Sequence, residues 1–399
     1  MSGPLNGIRV VDMTINILGP LAGQLLGDMG ADVIKVETPA GDPMRDSGPA
    51  RHPRMASLFM NTNRNKRSVV LDAKRTVAHA ALMRLVASAD VFMHSLRPGA
   101  AERLGISYAA LGAHNGKLVY AYAPGYRPDG RHRDRPAFDD VIQGESGIAD
   151  MLGRSVGEPR YVPMIMADKV CGHVLASAIG MALFARERTG AGQEVVVPML
   201  ETMLAFNLTE HLWTDFDDPQ RKLGYSRMFS DHRRPYATRD GHICLLAVSD
   251  EQWARLFRAM DRDDLASDAR FARLAQRSQH IDELYRLVGE AMRGKTTREW
   301  RDALDAADVP NGAVNALEGM TADPYLAETG FFHRYEHPTE GSMITTRVPV
   351  QFSRTPGGIR LPPPNLGEHT ESVLRELGYA TAAIEEIRGG RPGAASARA

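Results

Sequence analysis

Five short runs rich in β-branched residues recur through the first third of the chain: Ile8 to Val11, Asp32 to Glu37, Ser68 to Leu71, Val91 to His94 and Lys117 to Tyr122. Between them, Leu21 to Met29 and Val77 to Ser88 carry apolar residues three and four apart, the period of a helix with one buried face. Strands that alternate with helices in this way pair in parallel, because each crossover is long enough to hold a helix that covers the sheet. The expected fold class is therefore α/β with a Rossmann-like layout. The G-x-G-x-x-G turn of dinucleotide binders is absent. Gly19, Gly23 and Gly27 recur instead at every fourth residue, a small-residue face for a closely packed helix. A nicotinamide cofactor is disfavoured on that ground.

A chain of 399 residues has room for two or three domains at about 100–200 residues each. Its 48 Lys and Arg almost cancel 49 Asp and Glu, leaving a net charge of -1 and no general field for nucleic acid or anionic lipid. Any anion site must be local. Cys171 and Cys244 lack the spacing of a zinc site or a disulfide framework, which points to a reducing, cytoplasmic setting. The longest strongly apolar stretch, Val174 to Ala185, is shorter than the ~20 residues a membrane crossing requires and reads as a core helix. No export signal is visible in MSGPLNGIRVVDM. Nucleic acid and membrane partners are thus not expected, nor is a metal.

The chain divides by composition. Residues 1–214 form the large Rossmann-like domain, with a long helix from about Asp168 to Arg188, a strand at Glu194 to Val197 and a helix from near Leu200. DFDDP, Asp215 to Pro219, reads as a linker. A smaller α+β domain spans 225–325 and opens with YATRDGHICLLAV, whose Asp240-Gly241 pair suits a hairpin. Residues 326–388 are turn-rich and end in a helix at Glu368 to Leu377; residues 389–399 are too small and polar to pack and read as a frayed tail.

The most informative stretch is MIMADKVCGHVLASAIGMALFARERTGAGQ, in which Asp168 stands where an apolar helix begins and Gly172, Ala176 and Gly180 supply small residues at every fourth position. Taken alone, this window gives Asp168 the role of an N-cap. Yet the stretch resembles the catalytic-aspartate region of the family III CoA-transferases, the CaiB/BaiF group. PLNGIRVVDMT, GPLAGQLLGDMGADVIKVETPAGDPMR, NRNKRSVVLDAK, LRPGAAERLG and PAFDDVIQGESG are similar to further motifs of that group, in the same order. The likeness covers most of residues 3–210 and is weaker in PYATRDGHICLL and LPPPNLGEHTESVLRELG.

The resemblance implies an interlocked homodimer in which residues 326–388 return to the large domain. It implies a CoA-transferase that takes acyl-CoA and a carboxylic acid as substrates, with no tightly bound cofactor. Asp168 would be the nucleophile, passing through a mixed anhydride and an aspartyl-CoA thioester, with succinyl-CoA or another short acyl-CoA as donor. Lys74, Arg97 and Arg103 occupy positions like those lining the family's CoA site, with Leu71, Ala73, Leu96, Leu104, Ala137 and Phe138 as walls and backbone contacts. For each of the three cations, a merely solvated side chain is an equal alternative. The basic run Arg64, Lys66 and Arg67 reads equally well as a solvated turn.

Departures narrow the chemistry. Ile17 stands where formyl-CoA transferases of the group carry a Gln two residues before the Gly19-Pro20 pair, and it cannot hydrogen-bond an oxalyl group. His94, Ser95 and Leu96 stand where members often carry Glu-Asn and an aromatic. An α-methylacyl-CoA racemase needs a second proton-transfer group, and Phe138 occupies the position of its usual His; His132 or His173 are the substitutes. An acyl-CoA-binding homologue without catalysis is the third reading. His333 and His337 lack the H-E-x-x-H order and read as surface histidines. Gly144-Glu145-Ser146-Gly147 lacks the last glycine of a nucleophile elbow. His52 and Met44 fall in a variable loop.

Overall fold

A computed structural model describes residues 3–212 and 223–389. The linker Asp215 to Pro219 and tail residues 390–399 lie outside the described residues; Gly389 caps the helix Thr381–Arg388 in a left-handed conformation. The chain forms two compact units. Of the described residues, one comprises 3–148, 161–206 and 327–389, and the other 149–160, 207–212 and 223–326. Residues 149–160, assigned by sequence to the large domain, therefore group with the second unit, and the first unit gives up the chain at 206 rather than at 214.

The first unit is built on six parallel strands in the order β3-β2-β1-β4-β5-β6. They are β1 (Arg9–Met13), β2 (Asp32–Glu37), β3 (Lys66–Val70), β4 (Val91–His94), β5 (Val119–Tyr122) and β6 (Gln193–Val196). In register, Val10 lies beside Val33 and Val91, and Val11 beside Ile34 and Phe92. β4 and β5 are buried along their whole length and read as continuous apolar runs rather than alternating ones, whereas the edge strand β6 exposes Gln193 and Glu194. Helices α1 (Leu18–Asp28) and α2 (Thr76–Ala87) follow β1 and β3. Leu82 and Leu85 of α2 join Val11, Ile34 and Phe92 in one core, together with Val373, Leu374, Ile384 and Ile387 from the C-terminal segment. Each such side chain contributes about 1.5–3 kcal/mol when fully buried.

The open edge of β3 is covered by residues 367–370. Thr370 Oγ1 accepts the Val70 N–H at 3.0 Å, and Ser68 Oγ accepts the Gly367 N–H at 2.8 Å. Such cover removes an edge that would otherwise pair with another chain. A hairpin of β10 (Phe332–His337) and β11 (Gly341–Thr346) precedes that segment.

The basic run is not a solvated turn. Arg64 forks onto Asp28 at 2.8 Å and also donates to Thr345 Oγ1 and the Thr346 carbonyl. Lys66 is fully buried and pairs with Asp12 at 2.9 Å, while Arg67 bridges Asp32 and Glu376. The run is acid-paired because carboxylates distant in sequence converge on it. His337 is likewise buried rather than on the surface, its Nε2 2.7 Å from the Pro363 carbonyl oxygen.

Helices α3 (Asp139–Glu145) and α4 (Met166–Thr189) complete the part that matters for chemistry. The α4 helix is 24 residues long, and by length and composition alone it could cross a bilayer, against the shorter estimate from sequence. Here Ala167, Cys171, Leu175 and Ile179 form its buried side. Gly172 meets α1, whereas Gly180 faces open space and does not extend the expected packing stripe. Val174, Met181 and Phe184 are exposed.

In the second unit, β7 (Tyr236–Ala237), β8 (His242–Leu245) and β9 (Asn311–Ala313) form an antiparallel sheet, with the expected hairpin at Asp240-Gly241. Trp253, Phe257, Leu284, Val288 and Trp300 fill its core. Capping boxes at Ser249/Gln252 and Thr296/Glu299 start two of its helices.

A Cβ added at Gly172 would lie 2.8 Å from the Leu18 carbonyl oxygen, a contact that only a backbone shift can relieve. Gly172→Ala is expected to lower the thermal midpoint, although Ala in a helix is favoured over Gly by about 0.8–1.0 kcal/mol; a calorimetric scan that shows a raised midpoint would contradict this packing.

Candidate active site

The strand order reverses between β1 and β4, and in open parallel sheets ligands bind beyond the carboxyl ends of the strands at such a point. The loop leaving β1 is shaped from below by buried charge. Asp12 accepts the Thr14 N–H at 2.9 Å; Lys35 Nζ donates to the Thr14 carbonyl and to Asp42, both at 2.9 Å. Asp42 Oδ1 accepts the N–H of Asn16, which is held in the left-handed region at φ 67°. The loop leaving β4 is tied to it: Ser95 Oγ accepts the Ile15 N–H at 3.1 Å.

A cavity of about 280 Å³ opens there, lined by Asn16, Gly19, His94, Leu96, Arg97, Arg133, Arg135, Ala137, Phe138 and Asp168 among others. The close approach of Ala137 to β5's outgoing loop is possible because residue 125 is Gly; a Cβ there would fall 2.5 Å from that of Ala137. Ile17, the departure noted in the sequence, is buried and does not line the cavity, whereas Asn16 does.

Asp168 is the third residue of α4, not its N-cap; Ile165 holds the cap position without a side-chain bond. Its own N–H donates to Asp139 Oδ1 at 2.9 Å. Gln143, one turn along α3, donates to Asp139 Oδ2 at 2.6 Å and to the Met164 carbonyl, and accepts the Val162 N–H. This clamp fixes the Asp139 carboxylate and the backbone at Asp168. Burial, and secondarily the charge of Asp139, pushes the Asp168 carboxyl up to about 7. The first-turn position favours an anion by about 0.3–1 kcal/mol, which the desolvation outweighs. Near neutrality the group is thus divided between acid and carboxylate. Cys171, one turn further on, is buried with its thiol pushed up to about 12, mainly by burial, and offers no thiolate.

The other expected site residues separate into groups. Leu96, Arg97, Ala137 and Phe138 share the cavity with Asp168. Leu96, Arg97 and Arg103 line a second cavity with Gly99, Ala100 and Asp134. The two hollows have Ser95, Leu96 and Arg97 in common. Leu71 is core, with its side chain turned away from solvent, and Ala73 and Leu104 pack against that core, so they are not cavity walls. Lys74 is exposed on the turn after β3 and lines neither cavity.

Four residues absent from the sequence-derived set stand in or under the site: His94, Asp139, Arg133 and Arg135. The RHRDRP segment before PAFDD is the signal that could have drawn attention to the arginines. Arg135 pairs with Glu145 at 2.8 Å, and Arg133 lies 3.4 Å from Asp134. His132 and His173 do not line the cavity. Ser146 caps the end of α3 rather than crowning a strand, so no nucleophile elbow forms. His52 pairs with Glu340 at 3.1 Å. Among the described residues, no group of three His, Cys, Asp or Glu side chains is arranged to hold a metal ion.

An acid whose folded value lies above its unfolded one takes up a proton on folding, and stability falls as pH rises between the two values. For Asp168 that window runs from about 4 to about 7. Asp168→Asn is therefore expected to melt above the wild type at pH 8, with the gap closing by pH 5; calorimetry at the two pH values checks it.

Residues 5–370 match the profile of CoA-transferase family III. The chain is 33% identical to a probable fatty acyl-CoA transferase of Mycobacterium tuberculosis, Rv3272, over 93% of this chain and 97% of that protein. It is also 33% identical to a succinate–glutarate CoA-transferase of Agrobacterium fabrum, over 94% and 96% of the two chains. The crystal structure of the orthorhombic form of Rv3272 superposes with a TM-score of 0.78 at 32% identity, covering 93% of this chain and 99% of the other. A CaiB/BaiF family protein from Brucella suis gives 0.77 at 29% identity, over 94% and 100%. A parallel sheet with its cavity at the switch point, an ionisable aspartate in that cavity, and these likenesses over nearly the whole chain have one common source: the protein belongs to CoA-transferase family III.

Proposed function

We propose that the protein moves CoA from a short acyl-CoA, succinyl-CoA foremost, to an organic carboxylate, with Asp168 as covalent nucleophile. The observation that carries this reading is the Asp168 carboxyl, held in a cavity whose remaining walls supply no free general base. In the first step an Asp168 oxygen attacks the thioester carbon, the C–S bond breaks, and CoA thiolate leaves behind a mixed anhydride. The thiolate attacks the aspartyl carbon and releases the donor acid as a carboxylate. The acceptor carboxylate then displaces CoA from the aspartyl thioester, and the returning thiolate attacks the acceptor's acyl carbon to restore Asp168. Each step exchanges one anion for another, so no proton donor is consumed.

The racemase reading requires a second base. The only imidazole in the cavity lining is His94, and both of its nitrogens are engaged, one by the Leu96 N–H and one by Tyr120 Oη. Arg97 and Arg103 are assigned to the CoA phosphates, as guanidinium groups favour planar, charge-assisted contacts. Lys74, outside both cavities, is the outlying member of that set. A dicarboxylate acceptor accords with the Agrobacterium relative and with a human relative named as a succinyl-CoA:glutarate CoA-transferase, 28% identical over 96% of this chain. A homodimer is part of the same proposal. Val174, Met181 and Phe184 are spaced seven and three apart, so they share one exposed apolar face of α4, the kind of surface a second copy covers.

With a panel of acyl-CoAs and labelled free acids, the wild type is expected to exchange label, and Asp168→Ala to lose exchange by roughly three orders of magnitude or more while binding CoA within about threefold. Loss of an α-proton to solvent without exchange would overturn the transferase reading. Because the carboxylate is the nucleophile, kcat/KM should rise with pH up to about 7 and then level off. Asp139→Asn removes the neighbouring charge, keeps an oxygen for the Asp168 N–H, and should carry that rise to lower pH; an unmoved profile would exclude the coupling.

A further inference from the structure

We propose that His94 is a positioning residue that presets the Ser95–Arg97 turn for the CoA portion of the substrate, and that it does so through Nδ1 rather than Nε2. The inference rests on the CoA-transferase reading of the cavity above. A backbone N–H can only donate, so the Leu96 N–H at 3.0 Å requires a lone pair on Nδ1. The neutral ring then carries its proton on Nε2, which donates to Tyr120 Oη at 2.7 Å. The ring stacks on Tyr122 with centroids 5.1 Å apart and planes 10° from parallel, and Phe92 tilts against it at 5.8 Å. Burial pushes the imidazole down to about 4, which keeps it neutral at working pH.

The ring cannot turn without surrendering both hydrogen bonds and the stack. Its fixed Nδ1 sets where the Leu96 amide lies, and Ser95 Oγ anchors the same turn from the other side through the Ile15 N–H. Leu96 and Arg97 are the residues common to both cavities along with Ser95. A turn that loses its amide acceptor would leave a half-buried donor unpaired and let these two side chains drift, a fault felt in substrate binding before it is felt in the acyl transfers. The assignment also accounts for a His at this place: one planar side chain supplies the acceptor and fills an aromatic layer.

Substitutions that separate the two nitrogens test this. In His94→Asn the amide oxygen takes the place of Nδ1, whereas His94→Gln retains a polar atom only near Nε2, and Tyr120→Phe removes only the Nε2 partner. CoA binding by calorimetry and steady-state exchange kinetics are the readouts. His94→Asn and Tyr120→Phe should stay within about threefold of wild type in KM and in Kd for CoA, while His94→Gln should raise both constants about tenfold or more with kcat changed less than about threefold, a tenfold step being the loss of one good hydrogen bond. Equal constants for Asn and Gln, or a loss confined to kcat, would overturn the proposal. If the Gln variant does not fold, Ser95→Ala loosens the same turn and should raise KM selectively; an unchanged KM there would overturn it equally. A wild type that binds no CoA would instead overturn the transferase reading itself.

Discussion

The ammonium groups of Lys35 and Lys66 lie wholly out of water, and the structure around them is organised to satisfy that. Lys66 donates to Asp12, to Asn63 Oδ1 and to the Pro20 carbonyl; Lys35 donates to Asp42 and the Thr14 carbonyl. Removing one partner of such a pair costs about 3–5 kcal/mol, because the remaining charge is left buried and alone. These bonds join β1, β2 and β3 to the start of α1, and they dictate the path of the backbone from Thr14 to Asn16. The cavity rim is therefore laid down by ions that never meet a substrate.

Above that foundation the electrostatics change sign of purpose. Below the rim, carboxylates are matched by cations; Glu37, for example, is kept below the usual carboxylate range despite its burial by Arg45, Lys35 and Ser68. Arg97, Arg133 and Arg135 share the cavity with Asp168, yet the carboxyl is shifted by burial and by another carboxylate, Asp139, and not by a paired cation. An anion left poorly solvated is a stronger nucleophile than one held by a salt bridge, which is the use a covalent acyl carrier would make of it. The cost is carried by the clamp of Asp139 and Gln143, whose bonds fix the backbone entering α4 while adding nothing positive near the reacting oxygen.

The parallel sheet was legible because its inner strands are buried and announce themselves as β-branched runs; Asp32–Glu37 and Val91–His94 agree with the expected limits to the residue. Asp168 stood out as a candidate because the motifs around it follow one another in a recognisable order, and it lines the cavity at the switch point. Arg64, Lys66 and Arg67 were not legible, since a basic run has the same sequence pattern in water as in a core, and the difference lies in Asp12, Asp28 and Asp32 on other elements. The role of Leu71 was obscured for the converse reason: a wall residue and a core residue are both simply apolar. His94 was visible only as a departure from the group's usual residues, and its meaning came from the tyrosines and the amide that surround it.

Several cations of the N-terminal sheet are completed from the far end of the chain. Arg45 donates to the Pro364 carbonyl across 319 residues of sequence, and Arg64 to Thr346 across 282. At about 5–20 residues per second of translation, roughly 15–60 s separate the emergence of Arg45 from that of its acceptor. During that interval Arg45 and Arg64 have their carboxylate partners Glu37 and Asp28 but lack these carbonyl acceptors, and the β3 edge is uncovered. Its biosynthesis is thus weighted toward a late closure, in which described residues 327–389 act as the fastening of a sheet made long before them.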